Sequence, residues 1–144
     1  MQVNVKKVDS YSDECALLRV VEVTENIQSA IDALENNCRV IAARCEGETV
    51  MCQIDKIYYI ESVDKRTYIY TKDDCLEVPY RLYELEDLLN RNFFRAAKAM
   101  IVNIRKIQSV KAEINGRMMA ELLNGEQIII ARSYVKELKE RLGI

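Results

Sequence analysis

Two hydrophobic periodicities alternate along these 144 residues, and their order predicts the architecture. Residues 3–5 (V-N-V) and 17–23 (L-L-R-V-V-E-V) are rich in β-branched positions and read as two short strands around a polar turn at 9–14. Thr24 then stands where a helix N-cap belongs, and Ile27, Ala30, Ile31 and Leu34 recur at helical spacing as far as Asn36. From residue 39 the period shortens to that of a strand. Runs at 40–44 and 49–53 flank Glu46-Gly47, and runs at 57–61 and 67–71 flank a loop holding Asp64, Lys65 and Arg66. Asp73-Asp74 marks the next turn, before a strand at 75–78. Pro79 introduces a short helix in which Leu82, Leu85, Leu88 and Leu89 form an apolar stripe. Strands near 100–102 and 107–114 follow. Asn115-Gly116 signals a type I′ hairpin into 118–122, and Asn124-Gly125 a second into 127–130. A final helix at 134–142 carries Val135, Leu138 and Leu142 on one face, with Ser133 as its N-cap.

This order predicts two parts. Residues 1–38 form a small strand-strand-helix (α/β) lobe, and residues 39–144 form a mainly antiparallel β domain with short helices. The length suits one domain with a small appended lobe, and charged residues at 31% are ordinary for a globular chain.

Charge changes the picture. The net charge is only −2, yet residues 1–94 carry 11 Lys/Arg against 18 Asp/Glu, whereas residues 95–144 carry 10 against 5. A basic second part can face a polyanion while acidic surface elsewhere keeps the chain dispersed; uneven surface decoration is the plainer alternative. Histidine is absent, which removes imidazole acid–base chemistry, Ser-His triads and His-Cys zinc sites together. Cys15, Cys38, Cys45, Cys52 and Cys75 form no C-x-x-C pair and are expected as buried thiols in a reducing compartment. No run approaches the length of a membrane span and residues 1–9 lack the apolar core of a signal peptide, so the expected location is cytoplasmic.

Several elements in order give a specific resemblance: I-Y-Y-I-E-S at 57–62, the leucine-rich helix at 82–89, F-F-R-A-A-K-A-M-I-V-N at 93–103, N-G at 124–125 and A-R-S-Y-V-K-E-L at 131–138. Over residues 39–144 the chain resembles the LytTR-type DNA-binding domains, the output domains of many bacterial response regulators. The resemblance implies an elongated fold of short antiparallel sheets that meets successive major grooves of duplex DNA through inter-strand loops. It implies no cofactor. Residues 1–38 are too short for the receiver domain that usually precedes such a domain and lack its acidic cluster. They resemble instead the amino-terminal part of stand-alone LytTR regulators, some of which occur beside a small membrane protein that could act as a partner. The lobe could also serve homodimerisation.

Carried onto this chain, the resemblance places DNA contacts at Lys65, Arg66, Arg95, Lys98, Arg132 and Ser133. Lys98 stands among Ala96, Ala97 and Ala99, which leave room for a base edge or phosphate to approach; a solvated lysine is the alternative. Arg132 offers a planar donor fork to guanine or phosphate, or else pairs with a carboxylate to anchor the last helix; Ala131 replaces the serine usual in the family. Lys65 and Arg66 either approach DNA or are solvated turn charges, and Arg95 either meets phosphate or braces the fold. Asn103 is expected to satisfy backbone groups, and Tyr58, Tyr59, Tyr68 and Tyr70 to pack across strands rather than stack on bases. The leading expectation is a sequence-specific transcriptional regulator on repeated half-sites of double-stranded DNA. A protein-interaction module or anti-regulator of the same fold is the competing one. Catalysis at Asp73/Asp74 or Cys52 finds no partner constellation.

Overall fold

The computed structural model describes residues 1–10, 13–36, 40–89 and 91–144. The chain divides into two compact units, Met1–Asn37 and Cys38–Ile144. In the first unit the only regular element among the described residues is α1 (Glu25–Asn36). Its cap is the one expected: Thr24 Oγ1 accepts from the Ile27 amide at 3.3 Å. The strands expected at 3–5 and 17–23 do not form among the described residues. Their β-rich composition has no ladder partner among the described residues, and a strand is stable only against a neighbour. Residues 11–12 of the expected polar turn lie outside the described residues.

In the second unit, β1 (Val40–Cys45), β2 (Glu48–Gln53), β3 (Tyr59–Val63), β4 (Arg66–Tyr70), β5 (Cys75–Val78), β6 (Phe93–Ala97) and β7 (Met100–Asn103) form one sheet in the order β2-β1-β5-β4-β3-β7-β6. Every pairing in it is antiparallel. A second sheet joins β8 (Ile107–Ala112), β9 (Met118–Leu122) and β10 (Gln127–Ile130) in the order β10-β9-β8. Helix α2 (Leu82–Leu88) lies between β5 and β6 in the chain, and α3 (Arg132–Leu142) closes it. The expected antiparallel β architecture with short helices is what forms.

Two apolar cores result. The first gathers Ile57, Ile60, Ile69, Leu85, Phe93 and Ile101; the second gathers Phe94, Val102, Leu122, Ile130 and Leu138. Alternation along a strand explains the division. Phe93 and Ile101 point to one face of the β6–β7 pair, Phe94 and Val102 to the other, so this hairpin is buried on both sides. Asn103, 2% exposed, is held there: its Nδ2 donates to the Ile57 carbonyl at 2.9 Å and its Oδ1 accepts from the Arg105 amide at 3.0 Å.

Three local expectations are corrected. Helix α3 begins at Arg132 with Ala131 in the N-cap position, so Ser133 lies inside the first turn and is not the cap. At Asn124-Gly125 only Gly125 takes a positive φ (88°), and its amide donates to the Leu122 carbonyl. That is a type I turn followed by a left-handed glycine rather than a type I′ turn; Asn115 and Gly116, at 61° and 76°, do form the primed turn. Among the described cysteines only Cys52 is buried; Cys15 and Cys75 are exposed and Cys45 is intermediate, while Cys38 lies outside the described residues. No helix among the described residues is long and apolar enough to cross a membrane.

Candidate nucleic-acid interface

The β6–β7 turn is Lys98-Ala99, and neither residue adopts the positive φ of the hairpin turns that suit strand twist. The ladder takes up the mismatch with a bulge between Arg95 and Ala97. Side chains and a neighbouring strand then pin the turn. Arg95 Nη1 donates to the Lys98 carbonyl at 2.6 Å, and Arg95 Nε donates to Glu86 Oε1 of α2 at 2.6 Å. From β3, the Ser62 amide donates to the Ala99 carbonyl at 2.9 Å. Arg95 is therefore engaged as a brace, and of the two exposed residues of the turn, Lys98 and Ala99, Lys98 carries the charge. Ala96 does not face it; its methyl is fully buried in the second core.

The β3–β4 turn lies on the same side. Asp64 and Lys65 both take positive φ, 50° and 66°, between the paired residues Val63 and Arg66. This is primed-turn geometry built without asparagine or glycine, and left-handed backbone costs such residues about 1 kcal/mol each. Arg66 stands 3.9 Å from Glu77 on the neighbouring strand, both exposed, an ion pair of little consequence for stability. Replacing Asp64-Lys65 by Asn-Gly should stabilise the fold by about 1 kcal/mol in a denaturant titration. If Lys65 meets phosphate, the same change weakens DNA binding; a variant no more stable than wild type would show that the backbone strain is absent.

These turns share an open groove of about 780 Å³, lined by Lys65, Arg66, Lys98 and the braced Arg95. Arg81, which the sequence analysis did not single out, lines it as well. It immediately precedes α2, where its amide donates to Glu84 Oε1 at 3.2 Å. A basic residue two places after Pro79 was the available signal, but its neighbours in the groove come from 62–67 and 95–99 and are assembled only by sheet register.

Arg132 is exposed in the first turn of α3 and makes no ion pair with a carboxylate among the described residues. Its stem lies over Gly116: a Cβ placed there would sit 3.1 Å from Arg132 Cγ. The entry to α3 is tied to β6, because the Ala131 amide donates to the Ala96 carbonyl at 2.8 Å. Ser133, beside it, is exposed. The tyrosines behave structurally. Tyr59 and Tyr70 face each other across β3–β4 as stacked rings 4.4 Å apart, and Tyr58 is buried. Burial, reinforced by a hydrogen bond to the Glu126 carboxylate, pushes the Tyr59 hydroxyl pKa upward.

The LytTr DNA-binding domain family matches residues 47–143, and the chain belongs to that family. It is similar to an uncharacterized HTH-type transcriptional regulator of Staphylococcus aureus strain NCTC 8325 / PS 47, at 26% identity over 99% of this chain and 95% of the relative. A second such regulator, from strain MRSA252, is 25% identical over the same shares. Among solved structures, a LytTr DNA-binding domain from Bacillus cereus matches with a TM-score of 0.70 and 25% identity, covering 73% of this chain and 97% of that one. Despite the wording of the relatives' names, five strands separate α1 from α2 and five more separate α2 from α3, so no helix-turn-helix pair occurs among the described residues.

Proposed function

We propose that this chain is a cytoplasmic transcriptional regulator that binds specific duplex sites through inter-strand turns, with two copies on repeated half-sites. The observation that carries this reading is the groove lined by Lys65, Arg66, Arg81 and Lys98 in a member of a DNA-binding family. Lys98 is the exposed tip of a braced turn, suited to a base edge, while Lys65, Arg66 and Arg81 suit phosphates on either side. Arg95 acts indirectly, by holding the Lys98 carbonyl. Arg132 supplies a further contact at the start of α3. A cation at the positive end of a helix is mildly unfavourable by itself, and Ala131 provides no side-chain cap there; a phosphate would answer both, with the Ser133 hydroxyl within the same turn. Two linked copies gain occupancy through effective concentration rather than through new contacts.

The test is selection of genomic fragments by the purified chain, followed by binding to the enriched duplex across a salt series. A repeated motif should emerge, and log affinity should fall with log salt at about −0.9 per phosphate neutralised, roughly −4 for each bound copy. No enrichment, with weak binding equal on all sequences, would overturn this reading in favour of the interaction module.

A further inference from the structure

Glycine occurs at four places in this chain, each at positive φ, and one of the four differs from the rest. A Cβ added at Gly47, Gly125 or Gly143 would meet nothing within 4 Å. At Gly116 it would lie 3.1 Å from Cγ, 3.2 Å from Cδ and 3.3 Å from Nε of Arg132. All three distances are shorter than a comfortable contact between heavy atoms, and they run along the arginine stem rather than meeting one atom of it.

The turn itself does not demand glycine. Asn115, its first central residue, holds φ 61° while carrying a side chain. The chain's other primed turn has Lys65 at φ 66° in the place that Gly116 occupies here. What excludes a side chain at 116 is the arginine lying across it.

Both sides of this contact are fixed. The Glu113 amide donates to the Arg117 carbonyl at 2.8 Å and closes the hairpin below the turn, and the next residue, Met118, is buried. Across from it, the bond from the Ala131 amide to the Ala96 carbonyl holds the start of α3. Ala96 lies two residues before Lys98, so the same bond fixes the root of Arg132 relative to the β6–β7 turn.

We infer that Gly116 is a positioning residue for DNA binding, a role that rests on the reading of Arg132 given above. Its bare backbone seats the arginine stem and aims the guanidinium at a phosphate by the start of α3. A free arginine must order several rotatable bonds when it binds, and a stem seated in advance has fewer left to order. With a Cβ at 116 the stem is lifted away. Arg132 is exposed, so the side chain gives way and the backbone stays. The β8–β9 turn thereby belongs to the interface through the arginine it carries.

Gly116→Asn tests this, because asparagine accepts positive φ yet adds the Cβ. Gly116→Ala is the second variant; its backbone strain also lowers the melting temperature by a few degrees. Both should weaken binding to the selected duplex by about three- to tenfold, as part of the ordering cost returns. In an Arg132→Ala background the same substitutions should change affinity no further, since the group they displace is gone. Without DNA, NMR relaxation of the Arg132 Nε–H should report an ordered group in wild type and a mobile one in both variants. Equal losses with and without Arg132, or an Nε–H equally mobile in all three proteins, would overturn the positioning role. If Lys98→Ala weakens binding while Gly116→Asn binds like wild type, this role fails and the DNA reading stands. A wild type that binds no duplex overturns both.

Discussion

Lys98→Ala and Arg132→Ala should each weaken binding to the selected duplex by about 1–3 kcal/mol, on the order of tenfold to a hundredfold, without changing the melting curve. Both side chains are exposed, so neither substitution opens a cavity or strands a buried partner. Anisotropy titrations on specific and scrambled duplexes at two salt concentrations separate the two kinds of contact. A base-reading lysine at 98 would lose discrimination between the duplexes while keeping most of the salt slope. A phosphate contact at 132 would weaken both duplexes alike and reduce the slope by about 0.9. Unchanged affinity in both variants would remove these two residues from the interface, whatever the chain binds.

Asn103→Ala should act on the other side of the ledger, on stability rather than recognition. It removes two hydrogen bonds in a buried position and leaves the Ile57 carbonyl and the Arg105 amide without those partners. The carbonyl of the fully buried Ile57 costs about 1–3 kcal/mol when stranded, whereas the amide of the exposed Arg105 can turn to water. A loss near 2 kcal/mol would lower the melting temperature by roughly 6 °C. Below that temperature the DNA affinity should stay near wild type, since Asn103 lies inside the sheet. A thermal melt superimposable on wild type would mean that water substitutes for the amide.

The strands of the second unit were legible because each has a partner whose pattern is equally clear: 40–44 with 49–53, and 57–61 with 67–71. Asn103 was legible too, since a short amide beside a turn has few other uses. The same alternation misled at 3–5 and 17–23, where propensity is present but no partner edge occurs among the described residues. Ser133 misled for a different reason: a hydroxyl two residues before Val135 resembles a cap, but the bond from Ala131 to Ala96 starts the helix earlier. Of the expected contacts, Lys65, Arg66 and Lys98 do share one groove, and Arg95 lines it while bonded to Glu86 and to the Lys98 carbonyl. For Arg81 the only mark along the chain is its place two residues after Pro79, which does not point to a groove; the β4–β5 register carries it beside the turns.

The β6–β7 hairpin has core on both faces, with Phe93 and Ile101 on one and Phe94 and Val102 on the other. A recognition loop on a floppy stalk must surrender its motional freedom at the moment of encounter, which subtracts from affinity. Here the stalk is clamped from two sides and the turn at its tip is tied by Arg95 and Ser62, so that surrender has occurred already, during folding. On the proposed contact, Lys98 would meet DNA with only its own side chain left to order, which favours quick docking and sharp discrimination over adaptability to many sequences.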